Sequence, residues 1–155
     1  MRATFTEFLI QEAARDPNLY LIVGDVGFSV LEPFQQRYGH RFINAGIAEQ
    51  AMIGLAAGFA IAGKRVYVYS HAPFITMRCF EQIRIDLCYQ QLPVTLIGAS
   101  GGYSFGEYGT THHAIEDLAL MRALPYMTVI APGNKYEVAQ LAPQVHQLTG
   151  PAYVR

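Results

Sequence analysis

Six short apolar runs, at residues 19–23, 41–44, 66–69, 94–98, 127–130 and 152–154, alternate with segments of helical spacing, and nothing else in the sequence limits the fold so strongly. A strand that returns to its own sheet through a helix does so by a right-handed crossover, which makes the strands parallel and puts helices over them. The helical segments are legible too. Phe5, Phe8, Leu9 and Ala13 share one face before Asp16-Pro17-Asn18 stops the pattern, and a short segment covers 34–38. A long apolar helix is predicted over 47–62, and an amphipathic one over 75–90 with Phe80, Ile83, Leu87 and Cys88 on one face. Further helices are predicted at 114–124 and 135–147. The expected class is α/β: a three-layer, doubly wound, mostly parallel sheet with helices on both faces. The 155 residues suit one such domain, with no internal repeat or linker.

Composition removes several kinds of function. Eleven Lys and Arg against twelve Asp and Glu leave a net charge of −1, too little positive field to capture nucleic acid or anionic lipid. The uncharged run from Gln50 to Gly63 is shorter than the roughly 18 residues a membrane span needs. Acidic residues interrupt the apolar stretch at the N-terminus, which therefore does not read as a signal peptide. Cys79 and Cys88 match neither a disulfide framework nor a zinc site, and a reducing, cytoplasmic setting is expected. With 52% hydrophobic and only 15% charged residues, a large apolar face covered by another chain is also expected.

Parallel α/β sheets bind ligands beyond the carboxyl ends of their strands. The segments there are 24–29, 44–49, 70–74 and 100–113. In the helix IAEQAMIGLAAGFAIAG, Glu49 and Gln50 are the only strongly polar side chains. Glu49 reads in two ways. It is either an ordinary first-turn acid favoured by the helix dipole, or a sheltered acid whose raised pKa lets it share a proton with a ligand nitrogen. The loop SGGYSFGEYGTTHHAIED is too long and too glycine-rich for a simple connection. Thr111, His112 and His113 stand near the next helix start, as a cap with a solvated histidine or as a proton-transferring imidazole; adjacent histidines there point in different directions. No G-x-G-x-x-G fingerprint, phosphate loop or nucleophile elbow occurs. His40, His71, His112, His113 and His146 have no metal-ligand rhythm, so no metal site is expected on this chain. Tyr69, Phe74 and Phe80 could stack a heterocycle or simply fill the core.

Longer strings carry a resemblance. NAGIAEQAMIGLAAG from Asn44 resembles the helix bearing the activating glutamate in the pyrimidine-binding domain of transketolase-type thiamine diphosphate enzymes. RCFEQIR from Arg78, GGYSFGEYGTTHHAIEDLALMR from Gly101, TVIAP from Thr128 and GPAYVR from Gly150 follow the same family in order and spacing. The likeness covers nearly the whole chain. It is nearest to the C-terminal subunit of split transketolases, then to 1-deoxyxylulose-5-phosphate synthase and the beta subunits of oxoacid dehydrogenases.

In this family the cofactor lies between two chains or domains. The resemblance implies that Glu49 bonds the ring nitrogen of the aminopyrimidine and promotes its imino tautomer, whose exocyclic nitrogen deprotonates the thiazolium carbon. It implies that Phe74 stacks on the ring, that Asp25 and Arg78 lie at the cofactor, and that His112, Tyr108 and His71 face the substrate. Tyr108 stands where transketolases acting on sugar phosphates commonly have an acid. No Gly-Asp-Gly followed some thirty residues later by Asn, the family's metal and diphosphate signature, occurs in the sequence. Thiamine diphosphate is thus expected to be shared with a diphosphate-binding partner subunit, which would hold the magnesium or calcium ion, and a dimer or heterotetramer is expected. Neither the diphosphate-binding domain nor a third C-terminal domain is expected within 1–155. The implied activity is transfer of a two-carbon ketol or related acyl unit. Two alternatives remain: a subunit of a 2-oxoacid-decarboxylating thiamine enzyme, and a noncatalytic assembly subunit.

Overall fold

The computed structural model describes residues 1–155. Six strands form one sheet in the order β2-β1-β3-β4-β6-β5, and all five pairings are parallel. The strands are β1 (Leu19–Val23), β2 (Phe42–Asn44), β3 (Arg65–His71), β4 (Val94–Ala99), β5 (Thr128–Ile130) and β6 (Ala152–Val154). Strands buried on both faces read as near-continuous apolar runs, which is why β1, β3 and β4 are legible as such.

Side-chain alternation divides the core in two. Leu19, Leu21, Val23, Tyr67 and Tyr69 point to one face, where α1 (Arg2–Arg15), α2 (Glu32–Tyr38) and α7 (Lys135–His146) cover them with Phe5, Leu9, Phe34 and Val145. Ile22, Val66, Val68 and Leu96 point to the other, under Met52 and Ile53 of α3 (Glu49–Ile61), Ile75 of α4 (Ala72–Met77) and Met121 of α6 (Asp117–Arg122). These are the expected three layers. Helix α1 ends where Pro17 cannot continue it, and Asp16 Oδ1 accepts the Asn18 N–H at 2.8 Å.

Two predicted helices differ. The single helix over 75–90 is instead α4, a break at Arg78–Cys79, the turn α5 (Phe80–Gln82) and a π-helical segment, Ile83–Cys88. Inside α4 the Thr76 hydroxyl bonds back to the Ala72 carbonyl at 2.6 Å, and just past its end the Cys79 thiol bonds back to that of Ile75 at 2.7 Å. Such back-bonding bends helices. The wider π turn still brings Ile83, Leu87 and Cys88 onto the sheet, so the buried pattern survives while Phe80 stays only partly buried. The helix predicted over 114–124 begins at Asp117. Thr111, His112 and His113 therefore lie in the preceding loop, not at a helix entrance. Gly102 and Ala114 close the base of that loop by exchanging two backbone bonds of 2.8 and 2.9 Å.

Candidate functional site

The connection leaving β1 runs outward to β2 while the one leaving β3 runs the opposite way to β4, and the crevice between β1 and β3 is where a doubly wound sheet accepts a ligand. The Gly24 N–H bonds the Tyr69 carbonyl at 3.2 Å, so the loop after β1 lies against the end of β3. A Cβ at Gly24 would stand 3.0 Å from Met52 Sδ and 3.3 Å from Ser70 Oγ, so α3 and the strand ends meet closely here and a side chain would push these neighbours aside.

Glu49 opens α3 beside this crevice and is only 4% exposed. Its carboxylate has two partners. Arg78 Nη1 lies 3.3 Å from Oε1 and 3.2 Å from Oε2, and the Ser70 hydroxyl donates to Oε1 at 3.5 Å. Arg78 is itself 47% exposed and also covers the Phe74 ring, with its guanidinium carbon 3.8 Å from the ring centroid. The bridge is thus a half-solvated cation on a sheltered anion.

Beside it stands a chamber of rings. His71, the last residue of β3, packs edge-on against Phe105 at 4.7 Å and Phe74 at 5.7 Å. The His112 ring lies 5.1 Å from Phe74, 5.2 Å from Tyr108, 5.5 Å from Phe105 and 6.5 Å from His71. The Thr111 hydroxyl engages His112 Nδ1 at 2.9 Å. His113 turns away, its Nε2 at 3.1 Å from the Gly106 carbonyl and its ring against Tyr103. Tyr108 rims the chamber at 60% exposure. Burial, with the charges of His112 and Arg2, holds the His71 pKa below its ordinary value against the pull of Glu49, and His71 Nδ1 is buried without a partner. An unsatisfied buried polar atom is costly, and a polar group placed beside His71 Nδ1 would relieve that cost.

The residues singled out in the sequence thus converge, with one at the margin. Glu49, Arg78, Phe74, His71, His112 and Tyr108 form one connected cluster. Asp25 sits at its edge, exposed and with φ of 55°, where its backbone N–H and carboxylate are both held by the Asn44 side chain at 3.1 and 2.9 Å. It ties the loop after β1 to the end of β2.

Phe105 escapes sequence reading because an aromatic in a glycine-rich loop carries no periodicity. Arg2 and Arg155 escape it as well. Both line a cavity of about 740 Å³ above the ends of β4 and β6, walled by Tyr69, Ser100, Phe105 and Leu141. The Tyr69 hydroxyl is buried there without a partner, and burial raises its pKa. Arg155 is anchored by Asp117, with Nε 3.5 Å from Oδ2.

A sheltered acid, an aromatic ring and a histidine thus meet at the switch point of an all-parallel sheet. The chain belongs to the transketolase pyrimidine-binding domain family, whose description, "Transketolase, pyrimidine binding domain", matches residues 1–155. It is 36% identical over 155 residues to an apulose-4-phosphate transketolase subunit from Phocaeicola vulgatus, covering 99% of this chain and 50% of that protein. It is 38% identical over 156 residues to a "Putative transketolase C-terminal section" of Methanocaldococcus jannaschii, covering 100% of this chain and 49% of that protein. A solved structure titled "Split gene transketolase, inactive beta4 tetramer" superposes with a TM-score of 0.88 at 34% identity, over 99% of this chain and 49% of that one. The chain spans about half the length of the curated relatives it matches.

Proposed function

We propose that this chain provides the pyrimidine-binding half of a split, transketolase-like thiamine diphosphate enzyme that transfers a two-carbon ketol or related acyl unit, and that it acts only with a diphosphate-binding partner subunit. The observation that carries this reading is Glu49: a sheltered carboxylate beside the Phe74 ring and an unpartnered imidazole nitrogen. Those groups fit an aminopyrimidine. When bound, thiamine diphosphate would supply the stabilised carbanion that such transfers need.

In this reading Glu49 holds a proton shared with the ring nitrogen of the aminopyrimidine, and its shelter from water strengthens that bond. Ser70 Oγ keeps Oε1 oriented. Phe74 offers its face to the ring, a contribution of about 1 kcal/mol beyond area burial. Thr111 occupies His112 Nδ1, which leaves Nε2 to exchange a proton with a substrate oxygen. Phe105 and Tyr108 pack against that imidazole and hold it in place. Arg2 and Arg155 suit an anionic headgroup in the adjoining cavity, which agrees with the phosphorylated sugar in a relative's name. Asp25 and Asn44 shape the margin of the site. The diphosphate and its magnesium or calcium ion belong to the partner subunit.

The outer face of α3 supports assembly. Ala51, Gly54, Leu55, Gly58 and Ile61 are exposed on it, small and apolar enough for close approach of another chain, and a relative's title names a tetramer. A dimer or heterotetramer follows from this reading. No helix is long and apolar enough to cross a membrane, and the two buried, unpaired cysteines agree with a cytoplasmic setting.

The test is reconstitution. Mixed with the diphosphate-binding partner, the chain should confer thiamine diphosphate binding and carbon–carbon bond exchange, and Glu49→Ala should abolish the exchange. Full turnover by that variant, or by the partner alone, would refute the reading.

A further inference from the structure

Arg78 makes the two contacts that the proposed function assigns to the aminopyrimidine. Its Nη1 lies 3.2 and 3.3 Å from the two carboxylate oxygens of Glu49, and its guanidinium carbon lies 3.8 Å from the Phe74 ring centroid. A guanidinium and a protonated aminopyrimidine share one chemical outline: a flat N–C–N fork carrying a delocalised positive charge. One face can stack on an aromatic ring while an edge donates to a carboxylate.

We propose that Arg78 stands in for the aminopyrimidine in the cofactor-free chain, and that the cofactor binds by displacing it. The inference rests on the proposed function, since it takes the same slot as the cofactor's. Local structure permits the exchange. Arg78 lies at the break between α4 and α5, so its side chain swings away without breaking a helical ladder, and at 47% exposure it already reaches solvent. Glu49, at 4% exposure, cannot follow it.

The surrogate has a use. Glu49 is almost wholly buried, and an unpaired carboxylate there would cost the chain stability until its cofactor and partner arrive. Arg78 spares the free subunit that state. It does so at the expense of affinity, because each binding event must first break an ion pair and a cation–π contact.

Two measurements test this, one needing no cofactor. In thermal melts of the 155-residue chain alone, Arg78→Ala should lower the midpoint, and millimolar methylguanidinium should restore it by refilling the slot. Methylguanidinium should leave the wild-type midpoint unchanged. In the chain reconstituted with its diphosphate-binding partner, calorimetric titration with thiamine diphosphate should show Arg78→Ala binding about 10-fold tighter, as expected from removing one half-exposed ion pair and one cation–π contact. Arg78→Lys, which keeps the charge and loses the flat fork, should fall between.

Unchanged or weaker cofactor binding by Arg78→Ala would overturn the proposal, because Arg78 would then be a bystander or a cofactor ligand, and the proposed function would stand. An unaltered melt for Arg78→Ala would overturn it as well. If neither wild type nor variant binds the cofactor with the partner present, the proposed function fails and this inference falls with it.

Discussion

Tyr153→Phe removes a single oxygen from a place where the fold has no substitute for it. Tyr153 and Asp117 are both at 0% exposure, and the Tyr153 hydroxyl donates to Asp117 Oδ2 at 2.7 Å. Arg155 Nε reaches the same oxygen at 3.5 Å, and Oδ1 has no partner. Burial and the neighbouring carboxylate push the phenol pKa far up, so the hydroxyl remains a donor at any working pH. The Phe ring keeps the packing against Leu96 and Val129, and the loss is confined to the hydrogen bond. A bond to a charged acceptor contributes about 1.5–3 kcal/mol, and stripping every partner from a buried charge costs about 3–5 kcal/mol. Arg155 remains, so about 2–3 kcal/mol is expected, which lowers Tm by about 4–12 °C in a domain of this size. Circular dichroism melts and urea midpoints with an unchanged m-value measure it. In an Asp117→Ala background the same substitution should cost under about 0.5 kcal/mol. A Tm within about 1 °C of wild type would refute the claim that Asp117 depends on this donor.

Other outcomes follow from the same geometry. Gly98→Ala would place a Cβ 2.6 Å from Tyr153 Cε2 and 2.8 Å from Cζ, both rigid, and should destabilise the chain by about 1–3 kcal/mol in the same melts. The His71 pKa is held down by burial, by His112 and by Arg2, so the unfolded chain accepts a proton more readily than the folded one. Stability is therefore lost as pH falls below the ordinary histidine value of 6.5, and His71→Phe should make Tm less sensitive between about pH 7 and 5.5. His146, likewise held down by burial and Arg65, retains its share of that slope, and an unchanged slope in His71→Phe would contradict the burial argument. Phe74→Ala should weaken thiamine diphosphate binding in the reconstituted enzyme by about 5–10-fold; equal affinity would remove Phe74 from the cofactor slot.

Much of the fold is legible because parallel α/β structure is written locally. An apolar run between two helical patterns leaves few choices, and β1 and β6 fall where the sequence places them. Glu49 stands out for a related reason, as an acid at the head of an otherwise apolar helix. The differences arise where hydrogen bonding changes while side-chain burial does not. The π segment at Ile83–Cys88 buries nearly the residues an α-helix would, so periodicity cannot reveal the break at Arg78. Local pattern puts the histidines near a helix start because the Gly102–Ala114 bridge, which holds them in a loop, joins residues that carry no local signal.

From sequence alone come the strands, the layers and the acid, since each depends on the spacing of neighbours along the chain. Tertiary structure alone decides which groups meet. The sheet order inserts β6 between β4 and β5, which carries Arg155 to the end of β4 beside Gly101, and the packing of α1 brings Arg2 to the same cavity. The Arg78 bridge to Glu49 and the turning of His112, not His113, toward Phe74 are likewise contacts between distant segments. Such contacts follow from strand order and loop closure, which local propensity does not encode.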